Sequence, residues 1–237
     1  AIHFAARFSR PLAGHGVFAD GKVATGETSR QGQAVGAYFE FAGDEPVVLG
    51  VGLSFVDAAH AAMNLAAEAP DLDFDAAQAA AEAEWETLLG RVELHGDSER
   101  DFEIFYTGLY HALLMPTLAS DVDGSYRGLD GEVHTSATSY YTDLSLWDTF
   151  RTEHPLLTLL YPEYQADFLR SLAQMAADGG YMPRWPLGTG YTGGMLGESA
   201  TFVFADTHAK GVTVPADELA LAYAAMRKTA VAPVPQD

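Results

Sequence analysis

The first 55 residues show the hydrophobic alternation of β-strands. Apolar side chains alternate with other residues from Ile2 to Phe8, and two short β-rich runs follow at 37–41 and 47–53. Glycine, aspartate and proline separate these runs, as is typical of strands joined by turns. About three to five such strands are too few to close a β-sandwich. We therefore interpret residues 1–55 as the end of a larger β-domain.

From Val56 onward the hydrophobic period lengthens to three or four residues, which predicts helices. Asp57 and Asp73 stand where N-caps are expected. The predicted helices are 58–69, 74–92, 98–115, 146–160 with a kink near Pro155, 162–177, 197–211 and 215–229, and residues 230–237 are predicted as a loop. A long connection, 117–143, separates the third helix from the fourth. Alternately short and long connections indicate helical hairpins whose long connections form a binding face at one end.

Composition and charge exclude several classes of function. The 237 residues carry a formal net charge of -20, which argues against nucleic-acid or anionic-membrane partners because both require cationic patches. The absence of cysteine excludes thiol catalysis, disulfides and thiolate metal sites. No apolar run approaches the roughly 20 residues that span a bilayer, and the first residues lack the features of a signal peptide. We expect a mature or trimmed piece whose export signal, if any, is absent.

The long connection contains an incomplete calcium-binding pattern. Asp121, Asp123, Ser125 and Glu132 occupy positions 1, 3, 5 and 12 of an EF-hand loop. Tyr126 stands where the sharp turn of that loop demands glycine. An Asx-turn, in which the carboxylates bond nearby backbone amides, is the favoured interpretation. A structural cation bound in another geometry remains an open alternative, and no metal ligand is assigned.

Other catalytic patterns are also incomplete. Residues 16–22 spell GxxxxGK, but Val23 replaces the magnesium-binding Ser or Thr and no helix is predicted to follow. Residues 188–193 spell GxGxxG outside the βαβ context that a dinucleotide site requires. Glu198 and His208 would not lie on one helix face, which argues against a zinc site there. No HExxH or GxSxG pattern occurs.

Two segments near the middle of the chain fit the chemistry of sugar recognition. The candidate substrate-binding residues are Trp147, Asp148, Arg151, Arg184, Trp185 and Tyr191. Aromatic rings stack on the apolar faces of sugars, and carboxylates and guanidinium groups bond hydroxyls. Glycines within 188–194 let the backbone approach a ligand closely. The open alternative is that the aspartate caps a helix and the tryptophan belongs to the core.

Six short motifs follow one another along the chain. They are GLSFV at 52–56, NLAAE at 64–68, FYTGLYH at 105–111, SDVDGSYRG at 120–128, SLWDTFR at 145–151 and MLG at 195–197. The sequences and the order of these motifs resemble those of glycoside hydrolase family 92. Members of this family are calcium-dependent, inverting exo-α-mannosidases and are mostly bacterial. The resemblance covers about Phe8 to Gly211.

The resemblance implies a fold and a division of the chain. Residues 1–55 would form the end of an N-terminal β-sandwich, residues 56–97 a helical linker, and residues 98–237 the first part of an α/α toroid. The expected fold class is therefore mainly α with an N-terminal β portion. The resemblance also implies a secreted, periplasmic or cell-surface protein that acts on mannose-containing glycans.

Trp147 and Asp148 match the Trp-Asp pair that lines the mannose subsite in the family. The other four candidates rest on their chemistry alone. The family places its general acid, its general base and most ligands of its Ca²⁺ beyond the motif at 195–197, so no catalytic or metal-binding residue is assigned here. We expect this chain to supply one wall of the pocket.

Three other functions stay open at this point. The family also contains hydrolases of mannosyl phosphodiesters. A non-catalytic carbohydrate-binding protein could use the same helical array. A different toroid hydrolase could use two of Asp121, Asp123 and Asp148 as its carboxylate pair.

Overall fold

The structure is a computed structural model that describes residues 1–232. The helices are α1 (Ala58–Glu68), α2 (Phe74–Leu89), α3 (Glu99–Ala112), α4 (Leu146–Thr149), α5 (Glu153–Leu160), α6 (Pro162–Gly179), α7 (Ser199–Ala209) and α8 (Ala216–Val231). The strands are β1 (His3–Phe8), β2 (Gly14–Ala19), β3 (Lys22–Thr25), β4 (Val35–Glu40), β5 (Leu49–Ser54), β6 (Thr117–Leu118), β7 (Ser125–Arg127), β8 (Val133–Thr135), β9 (Tyr141–Thr142), β10 (Pro186–Leu187) and β11 (Gly190–Tyr191). The expected class, mainly α with an N-terminal β portion, is confirmed.

The N-terminal strands form two small antiparallel sheets, β1–β5 and β3–β2–β4. Strands β2 and β3 were not recognised from the pattern. They form a hairpin whose turn residues, Asp20 and Gly21, both have positive φ angles of 48° and 73°. The GxxxxGK letters at 16–22 therefore describe a β-hairpin, which confirms that they form no phosphate loop.

Helix α1 packs on one face of β5 so closely that the backbones of the helix and the strand are in contact. The β5 residues on that face are small: a Cβ built on Gly50 would lie 2.3 Å from Leu72 Cδ2, and one built on Gly52 would lie 2.1 Å from the carbonyl oxygen of Ala61. Since a side chain on Gly52 would meet the backbone of α1, this glycine sets the distance between strand and helix, whereas the contact at Gly50 is with the end of a flexible side chain outside α1. The opposite face of β5 carries the exposed residues Leu49, Val51 and Leu53.

Two apolar clusters hold the helices together. The larger cluster joins α6, α7 and α8 to α4 through fully buried residues such as Leu146, Leu172, Phe204 and Ala222. The smaller cluster joins α3, α5 and α6 around Leu109, Leu157, Tyr161 and Phe168. Within residues 1–232, no helix has both the length and the apolar character needed to cross a membrane.

The predicted helix at 146–160 is two helices, and the interruption predicted near Pro155 is a full break at 150–152. The chain leaves the helix after Thr149 and starts α5 at Glu153. Pro155 therefore lies in the first turn of α5, where its missing N–H costs no helical hydrogen bond. The break separates Trp147 and Asp148 of α4 from α5.

The predicted loop at 117–143 contains two short strand pairs, β6–β9 and β7–β8. Strands of two or three residues are too short for alternation to show in the sequence. At the other end, α8 runs to Val231, two residues past its predicted end. The rest of the predicted terminal loop, 233–237, lies outside the described residues.

A buried polar network connects α5, α6 and α7. His154 Nδ1 donates to Gln165 Oε1 at 3.1 Å, and Gln165 Nε2 donates to Thr207 Oγ1 at 2.9 Å. All three side chains are almost fully buried. Burial, opposed in part by the bond to Gln165, lowers the pKa of His154 from 6.5 to about 4. The folded protein therefore holds this imidazole neutral at pH 7.

We expect His154 to contribute a loss of stability when the pH falls below 6.5, whereas the raised pKa of Glu153 contributes in the opposite direction. The unfolded state takes up a proton near pH 6.5, whereas folded His154 does so only near pH 4, so the loss develops between these values and reaches about 3 kcal/mol. Urea unfolding at pH 7 and pH 4.5 measures it. His154→Asn is the control, because asparagine does not titrate and Glu153 is retained, so the difference between the two proteins isolates the contribution of His154. An equal change in stability between the two pH values in both proteins would contradict the assignment.

Candidate functional site

Helix α4 presents the predicted Trp-Asp pair at the surface. Leu146 anchors the helix in the core, whereas the side chain of Trp147 is 38% exposed and Asp148 is exposed. Asp148 accepts a hydrogen bond from the hydroxyl of Ser145 through Oδ2, the one bond that residues 1–232 supply to this carboxylate. Its Oδ1 is therefore available for hydroxyl groups of a ligand.

Arg151 covers part of the tryptophan. Its guanidinium carbon lies 4.5 Å from the ring centroid of Trp147 and 4.4 Å from that of Phe150, and Nη1 donates to the Trp147 carbonyl at 2.9 Å. These are cation–π distances. Trp147 consequently has at most one open face on which a sugar could stack.

Arg184 and Tyr191 are bonded to each other. The Tyr191 hydroxyl accepts from both the backbone N–H and Nε of Arg184, each at 3.0 Å, and Nη1 of Arg184 donates to the Met195 carbonyl at 3.1 Å. These bonds hold the hairpin β10–β11 to the loop that follows it. A direct contact of either side chain with sugar stays a prediction.

Trp185 packs inside the same loop. A Cβ built on Gly194 would lie 3.3 Å from Trp185 Cε3, so glycine there permits a close approach to the ring. The Trp185 carbonyl accepts from the backbone N–H of Thr192 at 3.2 Å and from its hydroxyl at 3.0 Å. The ring is half-buried and borders the glycine-rich segment.

The loop 192–198 joins the two groups of candidates. At one end Met195 is held by Arg184, and at the other a Cβ built on Gly197 would lie 3.7 Å from Cζ3 of Trp147. Both loop residues have positive φ angles, 62° and 76°. Asp143 fixes the hairpin beside α4 by accepting from the Gly188 N–H at 2.8 Å. The six predicted residues therefore belong to one continuous structural unit.

The sequence analysis missed the apolar neighbours of this unit. Phe150 lies 6.2 Å from Trp147 and 5.6 Å from Phe202 of α7, measured between ring centroids. Leu196, next to Gly197, is 74% exposed. Phe150 directly follows the Trp-Asp-Thr triplet and could have been selected from the motif. Phe202 carries no such signal, because only the packing of α4 on α7 brings it close.

Residues 60–237 match the model of the glycosyl hydrolase family 92 catalytic domain. The chain belongs to glycoside hydrolase family 92. The match includes every candidate residue of the unit described above. It confirms the family that the six motifs indicated.

Solved structures of family 92 enzymes resemble the whole described fold. The inverting mannosidase BT2199 from Bacteroides thetaiotaomicron matches 94% of the chain with 31% sequence identity and a TM-score of 0.86. The α-mannosidase BT3965 from the same organism matches 98% with 32% identity and a TM-score of 0.85, and it has also been solved with mannoimidazole. The chain spans 31% and 32% of the lengths of these two structures. No curated protein matched it.

Asp121 and Asp123 are the residues of the EF-like pattern that could ligate Ca²⁺ in this family 92 chain. Ca²⁺ takes about six to eight oxygen ligands. The predicted Asx-turn is confirmed, since Asp123 Oδ1 accepts from the Ser125 N–H at 2.9 Å. Asp121 bonds Ser54 and Asn64 at 2.8 Å and 2.7 Å. The Asp123 carboxylate thus serves a local turn, whereas the Asp121 carboxylate joins this loop to β5 and α1.

Glu153 is a carboxyl of the family 92 domain that sequence reasoning did not select. It begins α5, two residues after Arg151, and burial raises its pKa from 4.5 to about 7. A carboxyl of this kind can hold or release a proton near neutral pH, as a general acid must. No sequence pattern marks it, because its burial depends on tertiary packing. We assign it no role in catalysis.

Proposed function

We propose that the chain is part of a calcium-dependent, inverting exo-α-mannosidase of the α-1,2 type. The supporting observation is the exposed Trp147–Asp148 pair, which has a free carboxylate oxygen in a chain whose structural relatives carry the name mannosidase. We further propose that residues 1–55 end a β-sandwich, 56–97 form the linker and 98–237 begin an α/α toroid. The intact enzyme would be exported and would act on mannose-containing glycans.

In this proposal, Asp148 orients the terminal mannose by accepting hydrogen bonds from two sugar hydroxyls. Charge-assisted bonds of this kind are about twice as strong as neutral ones. The open face of Trp147 would lie under the apolar face of the ring. Arg151 stays stacked on the other face and keeps the indole in place.

The loop 192–198 has a supporting role in this proposal. Its position against Trp147 is set by Arg184 and Tyr191, so these two residues would order the pocket wall. Inversion requires an acid and a base about 6.5–9.5 Å apart with water between them. We expect both groups, and most ligands of Ca²⁺, outside this chain. The residues described here bind and orient the sugar.

The experiment is a hydrolysis assay of the intact protein with α-1,2-mannobiose, followed by proton NMR. We expect release of mannose that is initially the β-anomer, loss of activity after EDTA treatment, and recovery with Ca²⁺ but not with Mg²⁺. Initial release of the α-anomer would contradict inversion. Activity confined to a mannosyl phosphodiester would show that this compound, and not α-1,2-mannobiose, is the substrate. Mannoside binding without hydrolysis of either compound would contradict the proposal that the protein is an enzyme.

A further inference from the structure

Three metal-ligating side chains meet between α1 and the loop that precedes β7. His60 lies in the first turn of α1, and Asp121 and Asp123 lie in the loop. The ligand atoms of all three are within 4.8 Å of one another, a combination that occurs once among residues 1–232. The proposed sugar site uses none of them.

The orientation of His60 is set from outside this group. Its Nδ1 bonds Asp57 Oδ1 at 2.8 Å, and the same carboxylate caps α1 by accepting from the His60 N–H. A carboxylate on one imidazole nitrogen is the usual partner of a metal-bound histidine, because it fixes the ring and directs the other nitrogen to the metal. Here Nε2 faces Asp123 Oδ2 at 3.8 Å. This distance is too long for a hydrogen bond.

The charge of Asp121 gives an independent reason to expect a cation. Asp121 is buried, with 7% relative exposure, and each of its carboxylate oxygens accepts one hydrogen bond. Its donors, Ser54 and Asn64, are both neutral. Within the described residues neither Asp121 nor Asp123 has an ion pair with lysine or arginine. A buried carboxylate with no cationic partner is costly, and a bound cation offsets that cost.

We propose that His60, Asp121 and Asp123 bind a divalent transition-metal ion of the zinc class. Imidazole together with carboxylates suits Zn²⁺ or Co²⁺, whereas Ca²⁺ prefers oxygen ligands throughout. Two ligands at about 2.0–2.2 Å from a tetrahedral Zn²⁺ are about 3.3–3.6 Å apart, so side-chain rotations that bring the three ligand atoms about 1 Å closer together would complete the site. Water would fill the remaining positions. The metal would tie the start of α1 to the loop at 121–125.

Co²⁺ titration of the EDTA-stripped intact protein tests the site through the visible absorption of the bound ion. We expect a Co²⁺ band that stoichiometric Zn²⁺ abolishes and that equal Ca²⁺ leaves in place. His60→Ala should remove the Co²⁺ absorption band that Zn²⁺ competes for. Asp57→Asn, which keeps an oxygen that can cap α1 but removes the negative charge beside His60 Nδ1, should weaken Co²⁺ binding by about 10- to 100-fold.

The matched control is His95→Ala, because His95 is an exposed histidine next to Glu93 outside the group. It should retain the full Co²⁺ signal. The proposal is overturned if His60→Ala and the wild type give the same titration, if the wild type gives no Co²⁺ signal, or if Ca²⁺ displaces Co²⁺ at equal concentration. Mannoside hydrolysis plays no part in the readout, so this result is independent of the proposed function.

Discussion

Replacing Asp148 with asparagine is expected to lower kcat/KM for α-1,2-mannobiose by about 100-fold, which corresponds to about 2.7 kcal/mol. The variant keeps an oxygen that can accept the Ser145 hydroxyl, so α4 should keep its structure. It loses the negative charge that strengthens hydrogen bonds from sugar hydroxyls. Steady-state kinetics of the intact protein measures the effect. This prediction rests on the proposed function.

Asp75→Asn is the matched control for this change. Asp75 and Asp148 are both exposed aspartates in the first turn of a helix, and Asp75 lies in α2. Both variants lose a similar favourable interaction with the helix N-terminus. We therefore expect equal thermal stabilities and full activity in Asp75→Asn. If Asp148→Asn has the same kcat/KM as the wild type, Asp148 does not contact the sugar, even if the protein proves to be a mannosidase.

Gly52→Ala is expected to destabilise the protein by about 3 kcal/mol, near the upper end of the usual range for overpacking. The added Cβ would lie 2.1 Å from the backbone oxygen of Ala61 and 2.7 Å from Leu65 Cβ. Neither contact can be relieved by rotating a flexible side chain, so α1 must move away from β5. Urea unfolding at pH 7 measures the change.

Gly108→Ala is the corresponding control in an open position. Gly108 lies inside α3, and a Cβ built there meets nothing within 4 Å. Alanine should stabilise this helix by about 0.5–1 kcal/mol, because glycine loses more backbone freedom on folding. The two Gly-to-Ala changes are thus expected to have opposite signs. Similar free energies of unfolding for both variants would contradict the close packing of α1 on β5.

Local signals in the sequence were sufficient for most helices. Asp57 and Asp73 accept the backbone bonds that N-caps require, and α1 and α2 begin directly after them. The six motifs indicated the family that the match over 60–237 confirms. These results share one cause: capping, periodicity and motif order are properties of neighbouring residues along the chain.

Tertiary packing decided the features that the sequence analysis missed or misplaced. A kink was predicted near Pro155, whereas the structure has a full break at 150–152 and accommodates the proline in the first turn of the second helix. Strand pairs of two or three residues within 117–143 exist only because their partners are brought together. Phe202 likewise reaches Phe150 only through helix packing.

By itself the sequence determined the family, the mainly α class with its N-terminal strands, and the Trp147–Asp148 pair as the leading candidate for sugar contact. Only the tertiary structure decided that Arg184 bonds Tyr191 and Met195, that Glu153 is buried enough to have a pKa near 7, and that His60 faces two aspartates. The physical reason is that burial and long-range contacts depend on the packing of distant segments, which residue types and spacings do not encode locally.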